Sequence, residues 1–144
     1  MTISIPDLSK TLEQIEKQHW PEPEWQSHLV VECHRLRRVP LREFTPGNLR
    51  IMVGQSIGLE SLAPLALQIL ADDPLLEAEL YPGDLLFALL HSDSTFWAAH
   101  PDWRATLSSI AKSARFRLDA LAKSERDSGE ESLYDAISRF QRSA

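Results

Sequence analysis

The segment Ser61-Leu62-Ala63-Pro64-Leu65-Ala66-Leu67-Gln68-Ile69-Leu70-Ala71 decides the fold. Wound into a helix, its apolar residues face every direction, and a helix apolar on all sides belongs in the middle of a core. Pro64 fits the first turn of such a helix, where a missing N–H costs little. Asp72-Asp73-Pro74 then breaks the chain, and Tyr81-Pro82-Gly83-Asp84 makes a second turn. Leu85, Leu86, Leu89 and Leu90 mark a short buried helix after it.

Upstream, Thr45 and Pro46 form a strong helix start, as N-cap and first helical residue. Leu49, Met52, Val53, Ser56 and Ile57 share one face of that helix, and Gly58 suits its left-handed C-cap. An earlier helix is expected from about Ser27 to Arg38, with an apolar stripe of Leu29, Val30, Cys33 and Leu36. Arg35, Arg37 and Arg38 sit where cations meet the negative end of its dipole. The first helix is expected from Asp7 or Ser9, with Leu8, Leu12 and Ile15 on one face. Two prolines in Trp20-Pro21-Glu22-Pro23-Glu24-Trp25 force an extended link, with the two Trp rings pinning it to the body.

Downstream, Phe96 and Trp97 fall in a brief helix after Ser92-Asp93-Ser94. His100-Pro101 opens a long one, with Trp103, Leu107, Ile110, Ala111, Ala114, Leu118 and Leu121 on its inner face. Ser128-x-x-Glu131 is a capping box leading into Leu133, Ala136, Ile137 and Phe140. The pattern predicts an all-α single domain over 1–144, a compact bundle of about seven or eight helices.

With 144 residues the chain can bury a proper core, and 43% hydrophobic against 25% charged content suits a globular protein. Cys33 is the sole cysteine, so no intrachain disulfide forms and no thiolate zinc site of the usual kind is available. Met1 to Asp7 lacks the basic start and apolar run of a secretory signal, and no apolar run is long enough to span a membrane. A cytoplasmic location with no membrane partner is expected.

Several short patterns could carry chemistry. His91-x-Asp93 and His100-x-Asp102 could together offer a metal four ligands. Asp93 and Asp102 are better explained as helix-start residues and His100 as a cap, so no metal or other cofactor is expected. His28 and Glu32 share a helix face at i, i+4, and a pair interaction is expected there. Cys33 lies on the apolar stripe, which favours an inert thiol over a nucleophile. Neither a phosphate loop, a G-x-S-x-G elbow nor an H-E-x-x-H zinc motif occurs, and nothing asks for an enzyme. Arg35, Arg37, Arg38 and Arg42 are the one basic patch; dipole complementation explains it better than an anion or RNA contact.

Charge is the most informative property. From Ile51 to Trp103 there is no Lys or Arg, whereas Glu60, Asp72, Asp73, Glu77, Glu79, Asp84, Asp93 and Asp102 are all present. Residues 1–90 hold 13 acids and 7 bases, and residues 91–144 hold 8 of each, which makes up the net −6. Such a balance disfavours nucleic acid and favours a basic partner. Helix starts account for Asp84 and Asp102, but not for Asp72, Asp73, Glu77 or Glu79. The expected binding residues are Glu60, Asp72, Asp73, Glu77 and Glu79, with Tyr81 and Trp97 as anchors.

Several motifs carry a family likeness: Asn48-Leu49-Arg50-Ile51-Met52-Val53-Gly54-Gln55-Ser56-Ile57-Gly58-Leu59, Pro64-Leu65-Ala66-Leu67 and Tyr81-Pro82-Gly83-Asp84-Leu85-Leu86. Cys33-His34-Arg35-Leu36-Arg37, Pro40-Leu41-x-x-Phe44-Thr45 and Trp20-Pro21-x-Pro23 fit the same pattern. Together they resemble bacterial contact-dependent growth inhibition (CDI) immunity proteins over about residues 10–90, leaving the C-terminal helices at 101–142 unmatched. Gly47-Asn48 departs from the pattern, which has acidic residues ahead of Leu-Arg.

The resemblance implies a cytoplasmic, non-catalytic protein that binds and neutralises a toxin domain, in many cases a nuclease. A nuclease site is basic because its substrate is polyanionic, and an acidic inhibitor matches that charge. The motif glycines and prolines then hold the scaffold, while acids and aromatics around them carry specificity. The alternatives are an all-α adaptor or scaffold binding another partner, and a metal-dependent enzyme built on the His/Asp pairs. The oligomeric state stays open.

Overall fold

A computed structural model describes residues 4–24, 27–120 and 128–142. Among them eight α-helices follow in order: α1 (Leu12–Glu16), α2 (His28–Leu36), α3 (Pro46–Gly54), α4 (Leu59–Asp72), α5 (Asp84–Leu90), α6 (Ser94–Ala99), α7 (Pro101–Asp119) and α8 (Ser128–Arg142). Among the described residues there is no strand, only an isolated antiparallel bridge between Glu77 and Pro82. The all-α expectation holds.

The apolar-all-round segment lies where its pattern puts it. α4 buries Leu59, Leu62, Ala63, Pro64, Ala66, Leu67 and Leu70, and it packs against α3, α5 and α7. α3 and α5 lie close together on one side, and α8 closes the bundle against α5 and α7. Leu107, Ile110, Ala111, Ala114 and Leu118 line the buried face of α7, and Leu133, Ala136 and Ile137 that of α8. No helix among the described residues is long and apolar enough to cross a membrane.

Local capping chemistry fixes several helix starts. Thr45 Oγ1 accepts the N–H of Asn48 at 3.1 Å, and Asn48 Oδ1 accepts the N–H of Thr45 at 3.1 Å. The residue that departs from the family pattern therefore closes a capping box. α1 begins at Leu12 and not at Asp7 or Ser9, because Thr11 and Gln14 build the box that starts it. Asp7 instead folds a local turn, its carboxylate accepting the N–H and hydroxyl of Ser9, and Leu8 stays exposed.

Other boundaries shift for reasons of packing. Ser56, not Gly58, takes the left-handed position after α3, with φ +55° and its N–H on Val53 O. Gly58, at φ +65°, is the N-cap of α4, and a Cβ there would lie 2.8 Å from Leu12 Cδ1. Because α4 starts at Leu59, Pro64 falls in its second turn, beyond the first turn that suits it best. α2 buries Cys33 and Leu36 but leaves Leu29 exposed, so its buried stripe is narrower than expected. Trp25, Leu121 and the side chain of Ser128, with its capping box, lie outside the described residues.

The basic patch is also reassigned. Arg37 is 1% exposed and points inward, its guanidinium bonding to Glu16 and to the carbonyl of Gln18 at 2.6 Å, over the Trp20 ring at 4.3 Å. It ties α2 to α1 and pins the Trp20 end of the extended link. Arg35 pairs with Glu32, and Arg38 with Glu13 at 3.2 Å.

Candidate functional site

The connection from α4 to α5 gathers most of the acids singled out by the sequence. Asp72 ends α4 and Asp73 caps it, in a last turn that contains no basic residue. A carboxylate there opposes the helix dipole, so these two acids are not placed for helix stability. Asp73 reaches Arg117 of α7 at 3.4 Å, whereas Asp72 has no ion pair among the described residues. Leu76 then turns back, its N–H on Asp73 O.

Residues Glu77 to Asp84 form a tight loop built around one buried carboxylate. Asp84, 2% exposed, accepts the backbone N–H of Ala78 at 2.7 Å, Glu79 at 3.0 Å and Leu80 at 2.8 Å. Asp84 is the first residue of α5, as expected, but its side chain organises the preceding loop instead of serving only the helix start. Gly83 makes this possible. It adopts φ +86°, and a Cβ on it would lie 2.3 Å from Leu133 Cδ2 of α8. Only glycine satisfies both demands.

Arg50 of α3 braces the loop from the side. Its guanidinium donates to Glu79 at 3.1 Å, and its Nε lies 3.9 Å from Asp84. The Lys- and Arg-free stretch is thus partly neutralised by bases from outside it, Arg50 and Arg117. Glu77 keeps no ion pair among the described residues. Tyr81 is half-buried and meets Phe87 edge-on at 6.5 Å. Burial, followed by the charge of Asp84, pushes its phenol above the usual range.

The remaining expected residues lie elsewhere. Glu60, in the first turn of α4, is about 18 Å from Asp72 along the helix, at 1.5 Å per residue. It faces His100 at 3.6 Å. Trp97 is 3% exposed, and its indole N–H is used internally on Ser92 Oγ at 2.8 Å. It is a core residue and offers no ring to a partner.

Leu80 is the surface residue that sequence reasoning missed. It stands 62% exposed between Glu79 and Tyr81. Its one sequence signal is a leucine inside an acidic turn, immediately before Tyr81-Pro82-Gly83 and off any helical stripe.

The His/Asp pairs do not converge. His91 Nδ1 lies 2.9 Å from Phe87 O, Asp93 caps α6 by accepting the N–H of Thr95, and His100 stacks on Trp103 at 4.4 Å. Among the described residues no group of three His, Cys, Asp or Glu is disposed to hold a metal. Glu32 takes Arg35 as its hydrogen-bond partner, with His28 adding only a charge contribution. Cys33 is buried, and burial pushes its thiol up, away from the thiolate.

The family model for CDI immunity proteins matches residues 14–107. The chain belongs to the CDI immunity proteins. The matched span runs from α1 into α7, further than residue 90, and includes the whole α4–α5 loop. α8 and most of α7 lie beyond it. No curated protein and no solved structure matches the chain.

Proposed function

We propose that this chain binds the cognate toxin domain of a contact-dependent growth inhibition system one to one in the cytoplasm and blocks it without catalysis. The toxin is a basic protein, a nuclease, and the acidic α4–α5 loop faces it. The observation that carries this reading is the placement of Asp72, Asp73, Glu77 and Glu79 in one connection of a family member. Two of these acids sit where a helix dipole disfavours them, and among the described residues only Asp73 is offset by an ion pair, to Arg117. Their field attracts a basic partner and speeds encounter. Glu60, at the other end of α4, forms a separate acidic point on the periphery of such a surface.

Co-expression with the cognate CDI toxin domain is the direct test. Growth should be rescued, the two proteins should co-purify, and the purified chain should abolish degradation of nucleic acid by the toxin. Reversing Asp72 and Glu77 to Lys should slow association and flatten its salt dependence. Death of the co-expressing cells would overturn the reading, while a toxin inert on nucleic acid would overturn the nuclease part alone.

A further inference from the structure

Leu80 is 62% exposed, yet it cannot turn inward, because the N–H groups of Ala78, Glu79 and Leu80 itself are all held by Asp84. Leu80 forms one wall of a notch of about 240 Å³ between α3 and α5, lined further by Gly54, Tyr81, Phe87 and Ala88 and, on its polar side, by Arg50, Asp84 and His91. The notch exists because two of those residues are small. A Cβ built on Gly54 meets only Ala88 Cβ, at 4.0 Å, so the space above it is open. Phe116 of α7 is more exposed, at 78%, but it falls outside the matched span.

We propose that Leu80 and this notch are the apolar centre of the toxin-binding surface. Leu80 enters a depression on the toxin, and an aliphatic or aromatic side chain of the toxin fills the notch. This rests on the immunity reading above and adds the contact that supplies affinity. Charge complementarity selects the occupant: Glu77 and Glu79 are exposed in the same loop, three and one residues before Leu80, and Arg50 is already engaged by Glu79 and Asp84. The surface therefore offers net negative charge around an apolar centre, which fits a basic protein surface carrying one apolar side chain. Interfaces concentrate their energy in such a desolvated centre, while the charged rim governs encounter. A loop held rigid before binding also loses less entropy on association.

The experiment measures association and dissociation of the cognate CDI toxin domain, for wild type, Leu80→Ala and Gly54→Leu. Leu80→Ala removes the knob from an exposed site. Gly54→Leu fills the notch, and replacing glycine in a helix leaves thermal stability equal or higher. Each should weaken affinity by roughly tenfold or more, through faster dissociation with an unchanged salt dependence. Asp72→Lys should act on the association rate instead. Affinity within about twofold of wild type for either variant overturns the inference and leaves the immunity reading standing. Failure of the wild-type chain to bind at all overturns both.

Discussion

Trp97 donates its indole N–H to the hydroxyl of Ser92 at 2.8 Å, and the Ser92 hydroxyl in turn donates to the carbonyl of Leu89 at 2.6 Å. Both side chains are buried. Ser92→Ala would leave the indole N–H unpaired in the core, which costs about 1–3 kcal/mol. Urea unfolding followed by fluorescence should show that loss, while affinity for the toxin per folded molecule stays unchanged. A loss of affinity without a loss of stability would place Trp97 at the interface after all.

Arg37 extends the same logic to a charge. It reaches Glu16, 21 residues away in sequence, the Gln18 carbonyl and the Trp20 ring, all from within the core. Arg37→Ala removes these links and opens a void, and should cost about 3 kcal/mol. Arg37→Met, which keeps the apolar stem, should recover part of it. If instead the arginine served nucleic acid, both variants would keep wild-type unfolding midpoints.

These two residues show where sequence stops being legible. Helix periodicity and caps are local, so α3 and the central α4 follow from residues such as Thr45, Pro46 and Leu67 without any tertiary knowledge. Partners are not local. Arg37 looks like one more helix-end cation until a carboxylate from α1 meets it, and Trp97 looks like an anchor until Ser92 takes its N–H. Gly58 is the better choice for a left-handed cap by residue type, but the approach of Leu12 decides which position must lack a side chain. Leu80 is hard to find in the sequence because exposure of a single leucine has no periodic signature, and its place in an acidic turn is the one local hint.

Acid should act through carboxylates held by neighbours. The hydrogen bonds from Arg35 hold Glu32 below its ordinary 4.5, against burial, and the Ser9 hydroxyl and N–H hold Asp7 below 3.8. A depressed folded value adds stability above the unfolded value and loses it as pH falls through the folded one. The urea midpoint should therefore stay level from neutral pH down to about 5 and decline below about 4.5. Arg35→Gln should start slightly lower at neutral pH, and its gap to wild type should close as the pH falls below that point. A gap that widens on acidification would show that Arg35 stabilises something other than the Glu32 carboxylate.

Asp84 is the residue where motif, fold and proposed function meet. The sequence marks it as the last residue of a Tyr-Pro-Gly-Asp turn and as a helix start, but neither label reveals the three N–H groups it holds. A carboxylate offers acceptors to all three, whereas an amide offers one oxygen and turns an NH₂ toward donors. Asp84→Asn should therefore cost about 2–3 kcal/mol, since hydrogen bonds to a charged acceptor are the stronger kind. The loss should be local before it is global. Hydrogen exchange should quicken most at the amides of Ala78, Glu79 and Leu80, while the amides of Leu67 and Leu70 in α4 lose only the protection that the global loss of stability removes.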